Sequence, residues 1–208
     1  MLTERDAFQN RFGVSRETLE RLDIYAGLLK KWNPAINLVS KTTIQNLWQR
    51  HFFDSAQIYQ FRSDEPKKWA DLGSGGGFPA LVLAILDVDT SPQSSFVLVE
   101  SDLRKSTFLR TVIRELGLNA TVITKRIEEA DRLNADILTA RALAPLDKLL
   151  EYANLHLNPN GFAVFPKGEK FRSEIKEALA HWRFDVKETV SETNPNGALL
   201  RIGGISHV

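Results

Sequence analysis

One segment concentrates residue types that can hold a small charged ligand: Asp71-Leu72-Gly73-Ser74-Gly75-Gly76-Gly77-Phe78-Pro79. It closes a short apolar run and opens a helical one. Glycines let the backbone turn sharply there and approach a ligand closely. Glu100 ends the next apolar run. A carboxylate in that place can accept both hydroxyl protons of a ribose, so loop and acid together point to a nucleotide-type ligand. The stretch from Gly75 to Ala80 also fits the relaxed dinucleotide pattern G-x-G-x-x-A. Two features oppose a dehydrogenase. Asp71 heads a D-x-G-x-G-x-G arrangement, and a carboxylate there suits a ligand with an ammonium and a sulfonium, not a pyrophosphate. The chain also leaves no room for a separate substrate domain. A glycine-rich turn without a ligand is the plain alternative.

The elements that must position these residues follow from periodicity. The first sixty residues read as helices. Ser15 is an N-cap candidate, and Leu19, Leu22, Tyr25, Leu29 and Trp32 recur at helical spacing. A polar turn is expected from Asn33-Pro34 to Thr43. A second periodic segment then runs from Ile44 through Leu47, Trp48, His51 and Phe52 to Ile58. Beyond Lys67 the texture changes. Strands are expected at 69–72, 96–100, 120–124, 136–140, 162–166, 184–190 and 199–202, with helices at 79–86, 103–116, 146–155 and 169–181. Such alternation implies an α/β, doubly wound, mostly parallel sheet covered on both faces. The last two strands are joined by the turn Asn194-Pro195-Asn196-Gly197 and should form an antiparallel hairpin. By analogy this is the seven-stranded, Rossmann-like class I methyltransferase core. The organisation expected is a helical extension over 1–62, packed on one compact core over 67–208.

Composition narrows the rest. The 208 residues include no cysteine, which excludes disulfides, thiolate metal sites and cysteine nucleophiles. The four histidines, His51, His156, His181 and His207, lack ligand spacing, so no metal is expected. Net charge is +1, so affinity for an anionic polymer must come from local clusters. The charged N-terminus is unlike a secretory signal, and no apolar run approaches a membrane span. A cytoplasmic protein is expected, and a monomer, because no long apolar strip is left over.

With the loop and these blocks in place, the chain resembles the bacterial 16S ribosomal RNA guanine-N7 methyltransferases, the family of RsmG or glucose-inhibited division protein B. The resemblance covers nearly the whole chain. It rests on Lys31-Trp32-Asn33-Pro34-Ala35-Ile36-Asn37-Leu38-Val39-Ser40, Arg50-His51-Phe52-Phe53-Asp54-Ser55, and the loop from Asp71 to Pro79. Glu100-Ser101, Arg104-Lys105, Phe108-Leu109-Arg110, Arg126-Ile127-Glu128-Glu129, Ala140-Arg141-Ala142 and Lys167-Gly168 complete it. It implies S-adenosylmethionine as cofactor and 16S ribosomal RNA as substrate, in the small ribosomal subunit or an assembly intermediate. It also implies residue roles. Gly73 and Phe78 line the cofactor pocket, to which the loop reading adds Asp71, Gly75 and Gly77; Glu100 holds the ribose, Ile127 and Glu128 edge the adenine, and Arg141 lies beside cofactor and base. One departure is visible: Ala80 stands where the family commonly has glycine.

Guanine N7 carries a lone pair and no proton, so its methylation needs positioning and exclusion of water but no general base. That agrees with a sequence lacking an obvious catalytic dyad. His51 and Asp54 are the one tempting pair. At i, i+3 they share a helix face and read as a local hydrogen bond that steadies the helix or contacts RNA. Arg141 is the first candidate to bond guanine O6 and leave N7 free. Asn37, Lys41, Arg50, His51, Arg104, Lys105, Arg126 and Lys167 are the candidate RNA contacts. Arg104, Lys105, Arg126, Arg141 and Lys167 are expected to converge around one mouth. Trp32, Trp48 and Trp69 read as core. A methyltransferase with a protein or small-molecule acceptor, and a non-catalytic sensor of S-adenosylmethionine, remain the rival readings of the loop.

Overall fold

The computed structural model describes residues 3–89 and 94–208. Seven strands form one sheet: β1 (Lys68–Leu72), β2 (Ser95–Val99), β3 (Ala120–Ile123), β4 (Ala135–Thr139), β5 (Leu157–Lys167), β6 (Trp182–Val190) and β7 (Ala198–His207). Their order is β3-β2-β1-β4-β5-β7-β6. The first five are parallel, while β7 runs antiparallel to both β5 and β6. The expected strands, the parallel sheet and the terminal hairpin are all present. Chain order reverses between β1 and β4, and an open sheet binds ligands at the carboxyl ends of such strands.

The helices are α1 (Glu4–Phe12), α2 (Arg16–Ile36), a single turn α3 (Asp54–Ala56), α4 (Ala80–Asp87), α5 (Leu103–Leu116), α6 (Leu146–His156) and α7 (Phe171–Ala178). α5 has the expected bounds because both ends are written locally. Asp102 accepts from the amides of Arg104 and Lys105 at 2.8 and 3.0 Å, and Gly117 closes the helix at φ 61°. α2 begins at the expected cap, Ser15, but does not stop at Asn33. It carries Pro34 within its last turn and ends on Asn37 at φ 50°. The turn beyond is tied back by the side chain of Asn33, which accepts from Val39 N at 2.9 Å.

The segment expected as one helix from Ile44 to Ile58 is broken. A 3-10 turn (Ile44–Asn46) leads into a π turn (Trp48–Phe53), then α3, then a second 3-10 turn (Gln57–Phe61). The periodicity is sound, since Leu47, Phe52 and Ile58 are buried, but the winding changes to suit the neighbours. Phe8, Leu19, Leu22, Tyr25 and Leu29 share one apolar cluster with Phe78, Leu81, Ile85 and Phe108. The tryptophans pack as expected. Trp69 stacks on Phe96, while Trp32 and Trp48 lean on Phe108 and Phe52.

Candidate active site

The loop after β1 is wound tightly. Gly73 N and Ser74 N donate to Val99 O at 2.9 and 3.1 Å, and Gly77 N donates to Ser74 O at 2.7 Å. Gly77 has φ +94°, and a Cβ there would lie 2.4 Å from Leu81 Cδ1 and 2.7 Å from the Tyr25 hydroxyl. Only glycine fits. Gly73, at φ +65°, is approached just as closely by Leu143, 2.6 Å from where its Cβ would stand. The loop is therefore gripped from two sides, by α2 through Tyr25 and by the segment after β4.

A cleft of about 570 Å³ opens beyond the strand ends. The loop supplies Gly73, Gly75 and Phe78; the strand ends supply Ala140, Arg141, Pro166 and Lys167. The N-terminal helical segment adds Leu38, Ser40, Thr43, Arg50, His51 and Asp54, and the β6–β7 turn adds Ser191, Thr193 and Asn194.

Arg141 lines this cleft. It precedes Ala142, whose φ of 52° is uncommon for a residue with a side chain. Nη1 of Arg141 donates to Asp54 Oδ2 at 2.9 Å and to Arg50 O at 3.3 Å, and Nη2 bonds His51 Nδ1 at 2.7 Å. The guanidinium carbon lies 5.1 Å from the Phe78 ring centroid, and the His51 ring 4.7 Å from it. The expected local pairing of His51 with Asp54 gives way to a shared partner, because the π turn aims both at Arg141. Burial first, then the charge of Arg141, pulls the His51 pKa down to about 4, leaving a neutral imidazole. Asp54 Oδ1 also accepts from Thr193 Oγ1 at 2.6 Å and Gln57 Nε2 at 3.1 Å, which pins the β6–β7 turn to the cleft.

Two carboxylates flank the loop. Asp71 is buried beneath it, with Oδ1 accepting from Thr139 Oγ1 at 2.7 Å and Oδ2 without a partner among the described residues. Burial raises its pKa to about 7, against the opposing pull of the Ser74 and Thr139 hydroxyls and of Arg141. Glu100 accepts from Gly75 N and from Asp102 N, each at 2.8 Å, and so ties the loop to the start of α5. Ile127 is buried, and its carbonyl meets His156 Nε2 at 3.0 Å. The exposed Glu128 accepts from the Tyr152 hydroxyl at 2.7 Å, which holds its carboxyl below the ordinary value.

The basic residues do not converge as expected. Arg141 and Lys167 line the cleft, but Arg104, Lys105 and Arg126 lie outside its lining. They follow β2 and β3, on the other side of β1 from β4. Lys167 is turned inward onto Glu174 and Ala144 O. Arg50 and Lys41 are exposed, and Asn37 caps α2. Ala80 packs in the core at the start of α4, away from the cleft lining. Sequence reasoning missed Tyr25, Gln57, Leu143, Glu174 and Thr193. Tyr25 was legible only as a core position, and Thr193 only as a neighbour of a turn.

The residues fit S-adenosylmethionine at the loop: a glycine cradle from which Gly73, Gly75 and Phe78 line the cleft, and two carboxylates against it, Glu100 and Asp71, the latter with an unpartnered oxygen, for a cationic nucleoside. Asp71, Gly77, Glu100, Ile127 and Glu128 of the expected cofactor set lie outside the cleft lining itself. The family model for GidB, described as rRNA small subunit methyltransferase G, matches residues 18–197. The chain belongs to this family. A methyltransferase G relative from Ruegeria sp. (strain TM1040), named ribosomal RNA small subunit methyltransferase G, is 50% identical over 195 residues, 94% of this chain and 95% of its own length. A relative of the same name from Cereibacter sphaeroides (strain ATCC 17025 / ATH 2.4.3) is 46% identical over 208 residues, all of both chains. The fold recurs in a SAM dependent methyltransferase from Aquifex aeolicus, at TM-score 0.58 and 11% identity over 85% of this chain and 97% of that one. Membership makes the protein an S-adenosylmethionine-dependent methyltransferase, as the sequence blocks imply.

Proposed function

We propose that this methyltransferase transfers a methyl group to N7 of one specific guanine in 16S ribosomal RNA. It does so in the bacterial cytoplasm, as a monomer, on the small ribosomal subunit or an assembly intermediate. The names of its relatives support the RNA substrate. One observation carries the choice of atom: among the described residues lining the cleft, no base is free. Asp54 is bound by Arg141 and Glu174 by Lys167. The Nδ1 lone pair of His51 faces Arg141, and its pKa is depressed. An amine acceptor would need such a base to take its proton, whereas N7 has no proton to lose.

When bound, S-adenosylmethionine supplies an already activated methyl group. The chain's own residues bind and orient. Glu100 takes the ribose; Ile127 and Glu128 edge the adenine; Asp71, Gly73, Gly75, Gly77 and Phe78 form the loop end of the pocket. Arg141 has five N–H groups, of which three are spent on Asp54, Arg50 O and His51. Nε–H and one Nη2–H remain for guanine O6. The exposed Lys41, Arg50, Arg104 and Arg126 and the half-buried Lys105, together with Asn37 and Lys167, are assigned to the RNA side; His51, expected there too, is buried and engaged with Arg141 and is not. Arg141→Ala should lower kcat on RNA about 100-fold, in the range for loss of one key donor. Normal turnover would refute its role. The rate should also stay level from about pH 6 to 9, whereas a log-linear rise would reveal a general base and a different acceptor atom.

A further inference from the structure

We infer that His51 and Asp54 are positioning residues that fix the plane and direction of the Arg141 guanidinium, presented for that purpose by the π turn over Trp48–Phe53. The inference rests on the reading of Arg141 as the group that meets the target base.

A guanidinium has donors and no acceptor. The 2.7 Å contact from Arg141 Nη2 to His51 Nδ1 therefore requires a lone pair on Nδ1, which puts the imidazole hydrogen on Nε2. That nitrogen is buried and has no partner among the described residues, so His51 is committed to a single polar task. The ring cannot swing away, because it packs against Phe78 at 4.7 Å. Asp54 is held equally firmly. Its Oδ1 is taken by Thr193 and Gln57, which leaves Oδ2 facing Arg141 Nη1 at 2.9 Å. Two partners on separate nitrogens fix the guanidinium's orientation. The Phe78 ring, 5.1 Å away, supports its face. The two remaining N–H groups are thereby given one direction. A π turn inserts an extra residue into a helical turn and is often found at functional sites. Here it brings Arg50 O, His51 and Asp54 to one cation, and the cation comes from the end of β4, about ninety residues later in sequence.

The test is a set of variants measured for steady-state methylation of undermodified small subunits, for S-adenosylmethionine affinity by calorimetry, and for Tm. His51→Phe keeps the packing and removes the acceptor. His51→Asn keeps an acceptor oxygen near the place of Nδ1. Asp54→Asn turns one of two accepting oxygens into a donor. His51→Phe and Asp54→Asn should each lower kcat by roughly 10- to 100-fold, the scale of a misplaced reacting group. Cofactor Kd and RNA KM should change little. His51→Asn should recover most of the loss. In an Arg141→Ala background, His51→Phe and Asp54→Asn should cost nothing further.

Wild-type kcat in His51→Phe and Asp54→Asn, or losses as large without Arg141 as with it, would overturn the inference. So would His51→Asn failing as badly as His51→Phe. Normal kcat in Arg141→Ala would instead overturn the reading beneath it. Should His51→Phe fail to fold, Asp54→Asn with and without Arg141 decides by the same comparison.

Discussion

The hydroxyl of Tyr25 donates to the carbonyl of Gly76, so α2 bonds directly to the loop proposed to cradle the cofactor. The tyrosine is fully buried, and its ring lies 5.6 Å from Phe52 and 5.4 Å from Phe78. Replacing it by phenylalanine keeps the rings packed but leaves a buried carbonyl unpaired. That should cost about 1–3 kcal/mol, or a fall in Tm of about 2–4 °C per kcal/mol in a chain of this size. Because the carbonyl belongs to the loop, S-adenosylmethionine should also bind more weakly. Thermal melts with and without cofactor check both effects. A lower Tm with unchanged affinity would show that the bond serves stability alone.

Gly77 is the loop position least able to change. A methyl group there meets Leu81 and the Tyr25 hydroxyl at impossible distances, on a backbone at φ +94°. Gly77→Ala should destabilise by about 2–4 kcal/mol, combining backbone strain with overpacking. Gly117→Ala, at a helix end with open space around it, makes a control. It should lose about 1–2 kcal/mol, from the left-handed backbone alone. Urea denaturation of the two variants separates them.

Asp71 and His51 give stability opposite dependences on pH. The folded pKa of Asp71, about 7, lies above its ordinary 3.8. Between those values the native state binds more protons than the unfolded chain, so the contribution of Asp71 falls as pH rises from about 4 to 7. His51 is the reverse. Its folded pKa of about 4 lies below 6.5, so its contribution is complete above about pH 6.5 and falls on acidification towards 4. Asp71→Asn should therefore gain on the wild type as pH rises through that window, and His51→Asn should gain as pH falls. Denaturation at several pH values reads the slopes, and parallel curves for variants and wild type would refute both shifts.

Lys41 and Arg50 are exposed cations beside the cleft wall, without an ion pair among the described residues. If they meet phosphates, replacing either by alanine should raise KM for RNA and leave kcat nearly unchanged. It should also reduce the slope of log affinity against log salt by about 1. Filter binding across a salt series checks this, and an unchanged slope would remove them from the RNA surface.

The sheet and the loop were legible because their signals are local. Asp102 and Gly117 mark the ends of α5, and Gly73 to Gly77 mark a turn that only glycines make. Pro34 misled because a proline close to a helix end breaks few backbone bonds. α1 falls within the stretch read as helical, but its few apolar residues give no periodic face, so its bounds carried no signal beyond Thr3, which caps it. The pairing of Arg141 with His51 and Asp54 had no signature at all. It depends on a π turn and on a partner far along the chain, and spacing reports neither. The expected convergence of Arg104, Lys105 and Arg126 failed for a topological reason. Strand ends share one edge of the sheet, but β2 and β3 lie beyond β1 from the cleft.

Transfer from S-adenosylmethionine to a single guanine N7 is tested by following the methyl group. The purified protein is incubated with tritiated S-adenosylmethionine and small subunits or 16S RNA from cells lacking the modification. The product is then cleaved at 7-methylguanine and mapped. Label at one guanine, abolished in Glu100→Ala, is the predicted result. Cofactor binding without label on any form of ribosomal RNA, or label resistant to that cleavage, would contradict it.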